Sequence, residues 1–271
     1  MRVDLRKSLF ILPNLFTCSS IFCGLYAIIL CAAEPAPDDF YRASVLIVFA
    51  MFFDTIDGRV ARMTRTQSAF GVQLDSLADV VSFGVAPALL VYRWSLEELG
   101  LVGVAASFAY LACGAIRLAR FNVLAMGDRG APKKPGKYIL GLPIPGAAGI
   151  LVSLVVANHA VGGALPGWPY IILAVVLALS VFMVSSIKFR SFKDLRLSRR
   201  AVLFVSVAIG SSAIIAVRFH ISFVLVWLLT SYVLMGLAET LFGLSRRGLA
   251  RKRHAEVIAE EEPSPGRTSA H

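Results

Sequence analysis

The sequence predicts an all-α integral membrane protein with about eight transmembrane helices. Three observations carry this prediction: the composition, the long apolar runs and the placement of the basic residues. Of the 271 residues, 57% are hydrophobic and only 16% are charged, whereas soluble domains are about 45–50% apolar. A chain with this excess of apolar side chains needs lipid as well as water around it.

Apolar runs of about 20 residues, the length that crosses a bilayer, recur along the whole chain. The predicted spans are residues 9–33, 43–61, 71–92, 98–122, 141–160, 169–187, 201–217 and 220–243. The first run is not a removable signal peptide, because it is too long and further spans follow it. We expect residues 1–243 to form one polytopic membrane domain, and the charged residues 244–271 to be a disordered tail.

The basic residues predict how the chain is oriented. Of the 27 Lys and Arg residues, 24 fall on one side of the predicted spans, and only Arg42, Arg93 and Arg218 fall on the other. This asymmetry follows the positive-inside rule and predicts cytoplasmic termini in the cell (inner) membrane. The net charge of +10 then orients the protein and attracts anionic membrane lipids. No nucleic-acid partner is needed to explain it.

Four of the nine aspartates gather at the predicted cytoplasmic ends of two consecutive spans. Asp54 and Asp57 are three residues apart, and Asp75 and Asp79 are four apart, so each pair lies on one helix face. Two helices joined by a short loop can turn these faces toward each other. Four converging carboxylates repel one another unless cations neutralise them, and an all-oxygen donor set suits Mg²⁺ or Mn²⁺.

Small residues and one arginine accompany the aspartates. Gly58 directly follows Asp57, and Gly71 lies one turn before Asp75. Glycine inside a helix costs about 1 kcal/mol relative to alanine, and its missing side chain lets a bulky ligand approach the backbone. Ala61 extends the small face, and Arg62 supplies a cation suited to phosphate. This combination indicates a site for a pyrophosphate.

These residues alone also allow a second interpretation of their function. Paired acids in membrane helices also form proton relays and ion paths, and small residues serve helix packing. A proton- or cation-coupled transporter would, however, carry its acids near the bilayer midplane. The four aspartates here cluster toward one face, which favours metal-dependent phosphate chemistry.

The aspartate motif resembles the signature of the CDP-alcohol phosphatidyltransferase family. All eight fixed residues occur with the family's gaps: Asp54, Asp57, Gly58, Ala61, Arg62, Gly71, Asp75 and Asp79. The resemblance implies a six-helix core, usually homodimeric, that binds a CDP-linked lipid at the cytoplasmic face. Two further C-terminal spans are compatible with that core.

The resemblance also implies roles for individual residues. It makes Asp54, Asp57 and Asp75 metal ligands, with Asp79 completing the site; Asp79 and Asp75 are the catalytic residues, and Asp79 is the candidate base. The CDP-lipid site then comprises Gly58, Ala61, Arg62 and Gly71, with Asn14 and Thr17 near the cytidine.

Shorter stretches resemble the membrane-bound phosphatidylserine synthases within that family. They are Leu12–Thr17, Ser76–Ala88, Arg117–Val123 and Gly141–Ala148. This resemblance implies transfer of the phosphatidyl group from CDP-diacylglycerol to L-serine, with glycerol 3-phosphate, inositol phosphate and choline as alternative acceptors. Arg117 and Arg120 are the acceptor-binding candidates, because an arginine fork suits a carboxylate. Anchoring under the positive-inside rule is the alternative reading of both arginines.

Overall fold

The computed structural model describes residues 5–64, 66–125, 138–163, 169–185 and 188–190, together with Ser211, Trp227 and Ser231. This part of the chain is almost entirely helical, as predicted. Its six helices are α1 (Leu5–Ala32), α2 (Pro37–Thr64), α3 (Ala69–Leu99), α4 (Leu101–Ala125), α5 (Ile144–Ala160) and α6 (Pro169–Val184). The predicted spans at 201–217 and 220–243, and the tail at 244–271, lie outside the described residues, apart from the three single residues.

Three helices are long and apolar enough to cross a membrane: Ile11–Ala32, Ala69–Leu99 and Leu101–Leu124. Two shorter apolar helices, α5 and α6, complete the apolar set. The remaining helix, α2, has 28 residues and is therefore about 42 Å long, more than the ~30 Å hydrocarbon thickness. Its charged residues lie in its two end portions, where a helix of this length leaves the hydrocarbon.

Helix α2 begins earlier than predicted. Residues 33–41 were expected to form a polar outer loop, but the structure begins the helix at Pro37. Proline suits the first turn of a helix, because the amide hydrogen that it lacks would have no partner there. Asp38 and Asp39 follow in the first turn, where carboxylates interact favourably with the helix dipole.

Helix α3 also differs from its predicted limits. The stretch after residue 92 was expected to be a loop, but the helical course continues to Leu99, partly as π-helix. Arg93 pairs with Glu97 one turn later and also donates to the Ala33 carbonyl at 3.3 Å. These contacts hold the polar stretch in a helical conformation. The turn into α4 is Gly100, which has a φ of 54°.

The hydrophobic core contains buried residues from all six helices, and α3 contributes several of them. A π-helical segment, Val80–Val85, follows directly after Asp79 and buries Phe83 completely. The Phe83 carbonyl accepts a hydrogen bond of 3.1 Å from the hydroxyl of Tyr110 on α4, which is also fully buried. This bond satisfies both polar groups in the apolar interior. It fixes α4 beside the residues that follow the second aspartate pair.

Two short strands, Tyr138–Leu140 and Lys188–Arg190, form an antiparallel pair that the all-α prediction did not include. After the first of these strands the chain turns into α5 through Gly141, which has a φ of 76°. A Cβ added at Gly141 would lie 2.2 Å from the Met183 carbonyl oxygen, so no other residue fits this position. The turn brings the start of α5 against the end of α6.

Candidate active site

Helices α2 and α3 bring the predicted aspartates together. One carboxylate oxygen from each of Asp54, Asp57 and Asp75 lies within 4.8 Å of the others. Asp54 also interacts electrostatically with Asp79. Asp57 is buried, and the other three are partly buried. The two sequence pairs therefore form one acidic cluster across the α2–α3 interface, as the helix periodicity predicted.

Helix α1 contributes a hydrogen bond to this cluster. The Thr17 hydroxyl lies 2.7 Å from Asp57 Oδ2 and 3.2 Å from the carbonyl oxygen of Pro13 in its own helix. Thr17 is buried, with 4% of its surface exposed. A buried hydroxyl at this distance from a carboxylate oxygen fixes the orientation of that carboxylate. The structure thus places Thr17 beside Asp57, within the acidic cluster.

The first turn of α3 meets α1 at Gly71. Ser68 caps this helix by accepting a hydrogen bond of 3.0 Å from the Gly71 amide. A Cβ added at Gly71 would lie 3.2 Å from Ser68 Oγ and 3.7 Å from Asn14 Oδ1. Gly71 therefore keeps the space between the cap and Asn14 free of a side chain. Asn14 is partly exposed, so a ligand can reach its amide.

Gly58, Ala61 and Arg62 lie on the last turns of α2. A Cβ added at Gly58 would lie 3.5 Å from Arg62 Nη1, so the guanidinium lies over the bare backbone of Gly58. Arg62 is exposed, and Gly58 and Ala61 are partly exposed. An accessible guanidinium beside a side-chain-free backbone suits an anion such as phosphate.

The structure distinguishes the two predicted acceptor-binding arginines. Arg117 interacts electrostatically with Asp79, and its guanidinium lies 5.7 Å from the ring centre of Phe121. Arg120 is exposed and donates a hydrogen bond of 3.3 Å to the carbonyl oxygen of Val184, at the end of α6. Basic groups at this position stabilise a helix C-terminus. Of these two arginines, Arg117 is therefore the one that interacts with the acidic cluster.

Two polar residues near the cluster were not singled out in the sequence. Asn122 on α4 donates a hydrogen bond of 2.8 Å from Nδ2 to Ser76 Oγ, and Ser76 directly follows Asp75. Both residues are partly exposed. The sequence carried a weak signal for them, since both lie in stretches that resemble the synthases. No spacing rule connects two residues 46 positions apart.

The acidic cluster fits a divalent cation. All its donor atoms are carboxylate oxygens, which hard cations such as Mg²⁺ prefer. Asp79 Oδ1 is buried and has no hydrogen-bond partner among the described residues, although buried carboxylate oxygens are normally paired. A bound cation nearby would compensate both the orphaned oxygen and the repulsion within the cluster.

Comparison with known protein families identifies the family that carries this site. The sequence profile of the CDP-alcohol phosphatidyltransferase family matches residues 10–185. The match covers α1 to α6 and includes the whole acidic cluster. The chain belongs to the CDP-alcohol phosphatidyltransferase family. As a member of that family, it is an integral membrane protein, which agrees with its apolar helices.

Several curated relatives of this phosphatidyltransferase carry one name, CDP-diacylglycerol–serine O-phosphatidyltransferase. The relative from Helicobacter pylori (strain ATCC 700392 / 26695) is 38% identical over 197 residues, which cover 73% of this chain and 79% of the relative. The Methanocaldococcus jannaschii relative is 34% identical over 190 residues, covering 69% and 78%. The Bacillus subtilis relative is 34% identical over 182 residues, covering 67% and 91%.

Proposed function

We propose that this enzyme transfers the phosphatidyl group from CDP-diacylglycerol to the hydroxyl of L-serine, giving phosphatidylserine and CMP. The observation that carries the proposal is the acidic cluster, in which oxygens of Asp54, Asp57 and Asp75 lie within 4.8 Å of one another. The shared name of the relatives supports serine as the acceptor. The reaction forms a bond from the serine oxygen to phosphorus and breaks the bond from phosphorus to CMP.

We also propose which part of the chain and which face of the membrane carry the reaction. Residues 1–243 form the catalytic membrane domain, with the active site at the cytoplasmic face of the inner membrane, and residues 244–271 form a tail. The distribution of basic residues supports this orientation. The acyl chains of the substrate stay among the membrane lipids while the polar headgroup reaches the acidic cluster. A homodimer is proposed from the family resemblance.

We propose that Asp54, Asp57 and Asp75 hold a divalent cation, Mg²⁺ or Mn²⁺, with Asp79 completing the site. When bound, such a cation neutralises negative charge on the carboxylates and on the pyrophosphate of the substrate. Thr17 keeps Asp57 in its orientation through the 2.7 Å hydrogen bond. Binding of the ion would thus depend on α1 as well as on α2 and α3.

The residues of the chain itself carry the rest of the mechanism. Arg62, which lies over the backbone of Gly58, binds a phosphate of the CDP group. A serine hydroxyl is a poor nucleophile at neutral pH and needs a base within hydrogen-bond reach. We assign this role to Asp79, which has a buried oxygen without a partner among the described residues. Arg117 then holds the serine carboxylate beside Asp79.

The test is an assay of detergent-solubilised protein with CDP-diacylglycerol and isotope-labelled L-serine, with and without Mg²⁺ or Mn²⁺. We expect metal-dependent formation of labelled phosphatidylserine with equimolar release of CMP. Parallel reactions offer glycerol 3-phosphate, inositol phosphate and choline at the same concentration. Turnover with one of these acceptors but not with serine would refute the acceptor assignment and leave only the family.

The same assay addresses the transporter alternative. A coupled transporter would carry its acids near the midplane, whereas Asp75 and Asp79 lie in the first three turns of α3. CMP release by solubilised protein needs no membrane gradient. A purified, folded protein that bound the CDP-lipid but never released CMP would contradict the enzymatic proposal.

A further inference from the structure

Asn122 is a polar residue near the acidic cluster that has no role in the mechanism above. It lies three residues before the end of the described part of α4 and is partly exposed. Its amide nitrogen donates to Ser76 Oγ at 2.8 Å. Ser76 lies between Asp75 and Asp79 in the sequence of α3. The hydrogen bond therefore fixes a partly exposed amide beside Ser76, the residue that follows Asp75.

The hydrogen bonds of Ser76 determine which way the Asn122 amide points. Ser76 Oγ has a single hydrogen and donates it to the Val72 carbonyl at 3.0 Å. Its contact with Asn122 must therefore use a lone pair of the hydroxyl oxygen, which requires the NH₂ group of Asn122 as the donor. The amide oxygen Oδ1 is consequently directed away from Ser76.

Asn122 and Arg117 both interact with α3, at Ser76 and at Asp79 respectively. Arg117 lies five residues earlier on the same helix, about 7.5 Å along the axis, and interacts electrostatically with Asp79. The two residues present a cation and a neutral oxygen acceptor along α4. Serine carries a carboxylate and an ammonium group on one carbon atom. An amide oxygen can accept a hydrogen bond from ammonium without adding a fifth carboxylate to the cluster.

We propose that Asn122 is a specificity-determining residue, whose amide oxygen accepts a hydrogen bond from the ammonium group of the acceptor while Ser76 holds the amide in place. This inference rests on the proposed function, because it assumes an amino-acid acceptor. It assigns the amino group to Asn122 and the carboxylate to Arg117. Acceptors without an amino group gain nothing from Asn122.

The test compares Asn122→Ala with the wild-type enzyme in steady-state kinetics. We expect the KM for serine to rise by about tenfold or more, as for a lost hydrogen bond to a charged group, while the KM for CDP-diacylglycerol changes less than about twofold. The competitive inhibition constant of 3-hydroxypropanoate, which is serine without its amino group, should be the same in both enzymes. Asn122→Asp keeps an oxygen acceptor but loses the NH₂ donor to Ser76 and adds a fifth carboxylate, so the KM for serine should rise in this variant as well.

Asn158→Ala is the matched control, because Asn158 is an amide on α5 beside His159, which contacts Asp38 at the opposite end of α2. It should leave both KM values unchanged. An unchanged KM for serine in Asn122→Ala, or equal weakening of serine and 3-hydroxypropanoate, would overturn the inference. A wild-type protein that makes no phosphatidylserine at all would instead refute the proposed function, before any variant is measured.

Discussion

At the scale of single residues, the acidic cluster is stable only when the repulsion between its carboxylates is compensated. Three carboxylate oxygens within 4.8 Å of one another repel strongly in a partly buried site, where screening by water is weak. Among the described residues, Asp57 is compensated by the Thr17 hydroxyl, the Gly58 amide and the charge of Arg62. Asp79 is compensated by the charge of Arg117. A bound cation would neutralise further charge, so activity and metal binding should respond together to changes here.

Replacing Asp57 with asparagine should abolish turnover. The change removes one ligand charge but preserves shape, so we expect kcat/KM to fall by more than about a hundredfold while the protein still inserts and purifies normally. Asp54→Asn and Asp75→Asn should behave alike, whereas Asp79→Asn should retain CDP-lipid binding and lose turnover. Normal activity of Asp57→Asn with Mg²⁺ or Mn²⁺ would show that the metal assignment is wrong.

Replacing Thr17 with valine tests the hydrogen bond from α1. Valine has nearly the same shape but no hydroxyl, so Asp57 loses its 2.7 Å partner. We expect the metal concentration for half-maximal activity to rise by about tenfold or more, the usual effect of losing a hydrogen bond to a metal ligand. Thr17→Ser should retain wild-type behaviour. Ser19→Ala is the control, because the hydrogen bond that Ser19 makes among the described residues is to Leu15 in its own helix. A metal titration unchanged by Thr17→Val would refute this role.

Replacing each of the two arginines of α4 should have a different effect on the kinetics. Arg117→Ala removes the cation near Asp79, and we expect the KM for serine to rise by about tenfold or more, far more than the KM for CDP-diacylglycerol. Arg120→Ala removes a bond to the end of α6, so it should lower thermal stability slightly and leave both KM values near wild type. Equal losses toward both substrates in Arg117→Ala would place Arg117 at the phosphates or in the fold.

At the scale of elements, the site depends on how closely α1 and α3 approach each other. A Cβ added at Gly24 of α1 would lie 2.7 Å from Ser82 Oγ and 2.8 Å from Ser82 Cα. Ser82 also donates a hydrogen bond of 2.9 Å to the Ser20 carbonyl. Small residues at this crossing let the two backbones meet, as is common between membrane helices. The same crossing holds Thr17 and Asn14 of α1 beside the aspartates.

Gly24→Ala should therefore destabilise the protein. The added methyl group must push α1 away from α3, and overpacking of this kind costs about 1–3 kcal/mol. The Tm in detergent should fall, and activity should fall with it because Thr17 moves. Gly146→Ala is the matched control: Gly146 is also helical, but its added Cβ meets only Leu142 Cδ1 at 3.8 Å. A Tm for Gly24→Ala equal to that of Gly146→Ala would contradict the close crossing.

At the scale of the whole molecule, the basic residues predict a single orientation. Single cysteines at Lys134 and Asp39, in a variant without the four native cysteines, should react with a membrane-impermeant maleimide from opposite sides. We expect Lys134→Cys to react only in inside-out vesicles and Asp39→Cys only in intact spheroplasts. The reason is that 24 of the 27 basic residues lie on one side of the predicted spans, which the positive-inside rule makes the cytoplasmic side. The reverse pattern would show that the protein has the opposite orientation, with its active site on the other side of the membrane.

The sequence by itself determined the membrane class, the six described helices and the aspartate motif. These features depend on local properties: apolar length, helical periodicity and a fixed set of residues at fixed gaps. The predicted helix ends were less accurate. α2 begins within the expected outer loop, where Pro37 and two aspartates suit a first helical turn. α3 continues beyond residue 92, because Arg93 contacts Glu97 and Ala33. The contact with Ala33 joins residues 60 positions apart, which no local pattern reveals.

Only the tertiary structure decided which residues meet across helices. Spacing along one helix could not distinguish Arg117 from Arg120, since they are three residues apart and have the same chemistry. Their partners, Asp79 and Val184, lie on different helices. The bond from Asn122 to Ser76 and the bond from Thr17 to Asp57 likewise join distant positions. Side-chain contacts between helices depend on crossing geometry, which a linear pattern does not contain.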